Sequence, residues 1–91
     1  MIGRLQVIFQ GRVQGVGFRQ TCVYISQNFE ITGYVKNCPD GSVELVAEAK
    51  RVDLEKFLKK ILNSHLSKSI VSFHPTWSIA DGTFNSFRIT Y

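Results

Sequence analysis

Leu5, Val7 and Phe9 alternate with Arg4, Gln6 and Gln10, the period-two pattern of a half-buried strand. Ile8 falls on the opposite face, where one apolar residue is ordinary. From about Arg19 to Phe29 the period lengthens: Cys22, Ser26 and Phe29 share a helical stripe flanked by Val23 and Ile25, which predicts an amphipathic helix. Residues 32–37 read as a second strand, and Pro39-Asp40-Gly41 reads as a turn in which Asp40 bonds its own backbone. Val43, Leu45, Ala47 and Ala49 then alternate with Glu44 and Glu48, so residues 32–49 form a hairpin. Leu54, Phe57, Leu58, Ile61 and Leu62 mark a second amphipathic helix, with Asp53 as its cap, Glu55 in its first turn and Lys59-Lys60 near its end. Ile70–Phe73 predicts a fourth strand that breaks at Pro75 and resumes near Trp77, at a sheet edge or a bulge. Asp81-Gly82 is a turn, and Phe87, Ile89 and Tyr91 alternate as a final strand.

This order predicts an α+β fold: a ferredoxin-like α/β sandwich, βαββαβ plus a C-terminal strand, with an antiparallel sheet and two helices on one face. The plan has a consequence for chemistry. Strands one and two, joined through a helix, run parallel with their C-terminal ends together and strand three between them. Those ends are then about 10 Å apart at ~4.8 Å per strand step. The loop after strand one and Asn37 at the end of strand two therefore face one pocket.

That loop is Gly11–Arg19, G-R-V-Q-G-V-G-F-R. Gly11, Gly15 and Gly17 accept backbone angles that residues with a Cβ avoid. Successive amides can then turn inward as a concave nest, reinforced by the positive end of the following helix. Arg19 adds a planar, permanently charged fork suited to phosphate oxygens. Two commoner phosphate motifs fail: Phe18-Arg19-Gln20 stands where a P-loop needs Gly-Lys-Ser/Thr, and Gln20 stands where a dinucleotide fingerprint needs glycine.

Composition narrows the reading. Ninety-one residues with 44% hydrophobic content predict one domain spanning residues 1–91. No apolar run approaches the roughly 20 residues of a membrane span, and the N-terminus lacks a signal peptide's apolar region. Cys22 and Cys38 are too few for a disulfide framework and lack zinc-ligand spacing, so a reduced, cytoplasmic protein is expected. Cys22 lies on the helical stripe as a core residue, and His65 and His74 lack ligand partners, so no metal is expected. A net charge of +4 attracts phosphates and nucleic acids alike. RNA-binding domains of this plan display stacking aromatics on their central strands. The third strand has none, which weighs against nucleic acid.

At these residues the chain resembles the acylphosphatase family. Its G-x-V-Q-G-V-x-F-R signature is matched by Gly11, Val13, Gln14, Gly15, Val16, Phe18 and Arg19. A second block, G-(W/Y)-V-x-N followed by D-G-x-V-E, is matched by Gly33, Tyr34, Val35, Asn37, Asp40, Gly41, Val43 and Glu44. The resemblance spans the chain and weakens after Glu48. The family usually has alanine where Ser26 stands and glycine where Glu30 stands, so the first helix is expected to end without its usual glycine cap.

The resemblance implies hydrolysis of acyl phosphates to carboxylate and inorganic phosphate. The amides of Gln14, Gly15, Val16, Gly17, Phe18 and Arg19, with the Arg19 guanidinium, would bind the phosphoryl group. Asn37 would orient the attacking water. No cofactor and no covalent phosphoenzyme would be needed, phosphate would inhibit as product, and the protein would act as a monomer. The chemistry agrees. An anion cup, an arginine and one amide cannot expel a poor leaving group, but the carboxylate of an acyl phosphate, with a pKa of about 4, leaves without a proton donor. A module of this kind serving a larger assembly, as in hydrogenase maturation proteins, is the alternative, and the short chain argues against it.

Overall fold

The computed structural model describes residues 2–91. In chain order it contains β1 (Ile2–Gly11), α1 (Phe18–Ser26), β2 (Thr32–Asn37), β3 (Val43–Lys50), α2 (Arg51–Leu62), β4 (Ile70–Ile79) and β5 (Phe87–Ile89), with a 3-10 turn at His65–Lys68 before β4. The strands form one sheet in the order β4-β1-β3-β2-β5. β3 lies antiparallel to both β1 and β2, so β1 and β2 run parallel with β3 between them, as the βαβ start requires. The alternating residues Leu5, Val7, Phe9, Val35, Leu45 and Ala47 bury one sheet face. There they meet Cys22 and Ile25 of α1 and Leu54, Phe57 and Ile61 of α2 in one core. The helices also touch each other on that face.

The sheet is mixed rather than antiparallel throughout, because β5 runs parallel to β2. β4 pairs antiparallel with β1 at one edge. The chain then crosses the open face through residues 80–86 and returns along the other edge. A return strand opposes β4 and so must run with β1 and β2. Glu48 pins the crossing segment: its carboxylate accepts from the Asp81 and Gly82 amides at 3.1 Å. Arg4 bridges Glu48 at 2.8 Å and Asp81 at 2.9 Å.

Local differences from the sequence reading have physical causes. β4 runs through Pro75 without a break, because the strand sits at an edge, where a missing N–H costs no ladder bond on the free side. α2 begins at Arg51 with Lys50 in the cap position and no side-chain cap. Asp53 therefore lies in the first turn instead of capping, since β3 extends to Lys50 and turns straight into the helix. Its charge still favours the positive helix end. α1 stops at Ser26 and not at Phe29. The Gln27, Asn28 and Phe29 amides fall back on the carbonyls of Tyr24, Ile25 and Ser26 at 3.2, 3.1 and 3.0 Å, and Asn28 Nδ2 also donates to Ile25. No non-glycine residue among those described has positive φ. The helix thus ends in tightened turns without a left-handed cap.

Candidate active site

The loop between β1 and α1 is shaped by Gly15 and Gly17, with φ of 77° and 78°. A Cβ added at either would meet nothing within 4 Å, so glycine is required by conformation and not by crowding. Gly17 precedes α1 and offers no side-chain cap, and the first turn of α1 holds no acidic residue. The positive end of the helix is therefore left uncompensated. The Phe18 ring is buried against Phe9, with centroids 4.9 Å apart. This contact fixes the helix start and leaves only the Phe18 backbone for the cleft.

A cleft of about 270 Å³ opens there, lined by Val13, Gly15, Gly17, Phe18, Arg19, Gln20, Asn37, Ile89 and Tyr91. Gly15, Gly17, Phe18 and Arg19 after β1 and Asn37 at the end of β2, two strand ends of one β1-α1-β2 unit, thus form walls of the same space. The Arg19 guanidinium carbon lies 5.3 Å from the centre of the Tyr91 ring, a stacking contact that steadies the fork. Among the described residues no carboxylate pairs with Arg19, so its charge is available to an anion.

The side chains of the remaining loop residues point elsewhere. Val16 is half-buried against the core. Gln14 turns its side chain away from the cleft and donates through Nε2 to the carbonyls of Cys38 at 2.8 Å and Ser42 at 2.9 Å. Asp40 Oδ1 accepts from Ser42 N at 3.0 Å and Ser42 Oγ at 2.6 Å, the turn-forming role expected of it. Those bonds hold its carboxyl below the usual carboxylate range. Cys22 and Cys38 are free, and burial pushes the Cys22 thiol up, so it stays protonated and unreactive. His65 and His74 are exposed. Among the described residues no three His, Cys, Asp or Glu side chains gather in metal-binding fashion.

Gln20, Ile89 and Tyr91 line the cleft without having been singled out in the sequence. Tyr91 reads there as the third residue of a strand, whereas it lies beyond β5. The available signal was that β5 neighbours β2, whose last residue is Asn37, and that signal needs the strand order. Phe84 of the crossing segment packs on Tyr34 at 5.8 Å and under Arg4 at 5.5 Å.

Residues 5–89 match the family model described as Acylphosphatase. A Lactobacillus johnsonii protein named Acylphosphatase is 59% identical over 83 residues, covering 89% of this chain and 90% of its own. The crystal structure of acylphosphatase from Bacillus subtilis matches over 100% of both chains, with a TM-score of 0.89 and 32% identity. Full-length HypF, solved in a phosphate- and nucleotide-bound form, contains a similar unit (TM-score 0.87, 26% identity), and the match covers 12% of that chain.

Proposed function

The chain belongs to the acylphosphatase family and hydrolyses acyl phosphates, and from that premise we propose how its residues divide the work. The observation that carries the reading is the single cleft shared by the Gly15–Arg19 segment and Asn37. The phosphoryl oxygens accept from the amides of Gln14, Gly15, Val16, Gly17, Phe18 and Arg19, and from the Arg19 fork. The Asn37 carboxamide holds a water in line with the bond to the acyl oxygen. The water oxygen attacks phosphorus, the phosphorus–acyl oxygen bond breaks, and its electron pair leaves with the carboxylate. The protons of the water go to phosphate and solvent. Binding and aim suffice, because the charge to be stabilised lies on the phosphoryl oxygens that the cradle already holds.

Inorganic phosphate retains those oxygens and should compete for the same cradle. The reading calls on no metal and no cofactor. It further places the protein in the cytoplasm, as a monomer in which residues 1–91 act as one domain. Two free thiols, one of them half-buried, suit a reducing compartment. Phosphate release from acetyl phosphate and benzoyl phosphate, with and without a chelator, tests the proposal. Equal turnover in both conditions is expected. Turnover lost to the chelator and restored by a divalent cation would overturn the metal-free scheme.

A further inference from the structure

Gln14 stands in the cradle sequence, yet its side chain is spent elsewhere. A primary amide has two N–H donors, and both go to main-chain carbonyls of the β2–β3 turn: Cys38 at 2.8 Å and Ser42 at 2.9 Å. With two carbonyls facing it, only the nitrogen can occupy that side of the amide. Those carbonyls also close the turn itself, since Ser42 O accepts from Cys38 N at 2.8 Å and Cys38 O from Gly41 N at 3.1 Å. Each oxygen therefore uses both lone pairs, one for the turn and one for Gln14. Cys38 directly follows Asn37. On the other side, Gln14 is flanked by buried Val13 and by Gly15, whose left-handed conformation leaves the chain free of side-chain restraint.

We propose that Gln14 is a positioning residue: its side chain ties the phosphate cradle to the segment carrying Asn37, and so sets the distance between the bound phosphoryl group and the attacking water. The inference rests on the division of labour proposed above. Two β-strands alone bring the cradle and Asn37 into one cleft, but a glycine-rich loop retains freedom at its tip. In-line attack is sensitive to that freedom, because a misplacement of about 1 Å can cost about a hundredfold in rate. Gln14 removes it with two bonds to the neighbouring turn.

Gln14→Met tests this, since it keeps the length of the side chain and removes both donors. Cys38 O and Ser42 O each retain a backbone partner, so the turn and the fold should survive. The expected result is a fall in kcat of about ten- to a hundredfold, with the inhibition constant for inorganic phosphate changed by no more than about twofold. In an Asn37→Ala background, the same substitution should lower kcat by no more than about twofold, because no positioned water remains to be misaligned. If Gln14→Met folds poorly, Gln14→Glu reads the same clamp: its kcat relative to the parent should recover at acid pH, where a protonated carboxyl regains one donor. A pH-independent ratio would overturn the proposal. Unchanged kcat in Gln14→Met would overturn it too, as would a full, independent loss in the Asn37→Ala background. If Asn37→Ala by itself leaves kcat intact, the water-orienting reading fails first, and this one falls with it.

Discussion

Replacing Arg19 with glutamine separates the stability of the fold from the function of the cleft. The charge sits at the second position of α1, where the helix end is already positive and no acidic residue answers it. Removing the charge should stabilise the unliganded fold by about 0.3–1 kcal/mol. The contact with Tyr91 at 5.3 Å is lost as well, at about 0.5–1 kcal/mol for an exposed cation–π pair. The two effects offset to within about 0.7 kcal/mol, which for a domain of this size is a Tm change of no more than about 5 °C. Phosphate should tell the proteins apart. At a hundred times its Kd it stabilises the parent by about 2.7 kcal/mol, a rise of roughly 10–20 °C. Losing charge-assisted hydrogen bonds worth about 1.5–3 kcal/mol weakens binding about ten- to a hundredfold or more. At hundredfold weaker binding the same phosphate concentration stabilises the variant by only about 0.4 kcal/mol. Thermal melts with and without phosphate, alongside kcat/KM for benzoyl phosphate, make the comparison. A variant that keeps the phosphate-induced rise would refute the assignment. So would one that melts far below the parent without phosphate, since Arg19 would then be structural.

Asn37→Ala should lower kcat by about 10²–10³ while phosphate inhibition stays near that of the parent, and steady-state kinetics reads both numbers. Gly33→Ala should abolish folding by circular dichroism, because φ is 139° there and a Cβ would overlap the Val46 carbonyl. By contrast, Gly15→Ala should cost only about 1–2 kcal/mol in a urea melt, since its Cβ meets open space and pays for the left-handed backbone alone. Cys22→Ala should destabilise by about 1 kcal/mol and leave kcat intact. A collapse of turnover in a folded Cys22→Ala protein would give the thiol a chemical role.

The conformation of the β1–α1 loop could be read from the chain because its demands are local: glycines at Gly15 and Gly17 for left-handed backbone, a helix start behind them, and an arginine at its first turn. The meeting of that loop with Asn37 could also be read, since the βαβ connection leaves one parallel arrangement of β1 and β2. What escaped depends on distant partners. The direction of β5 is set by a crossing segment held on Glu48 and Arg4, and nothing within three strand residues encodes it. Pro75 correctly placed its strand at an edge or a bulge, but the interruption expected there does not occur, because only the sheet order shows that the edge position alone accommodates the missing N–H. Asp53 read as a cap because the polarity pattern does not reveal that β3 continues to Lys50. The destination of the Gln14 side chain, and the stacking of Tyr91 on Arg19, likewise exist only once the strands are assembled.

The central claim is that the cradle holds the phosphoryl group while water attacks phosphorus. Hydrolysis of benzoyl phosphate in oxygen-18 water, with both products analysed by mass spectrometry, tests it most directly. The account predicts the label in inorganic phosphate and none in benzoate. Label in benzoate would mean that water attacks the carbonyl carbon, and that Arg19 and Asn37 do not perform the roles assigned to them.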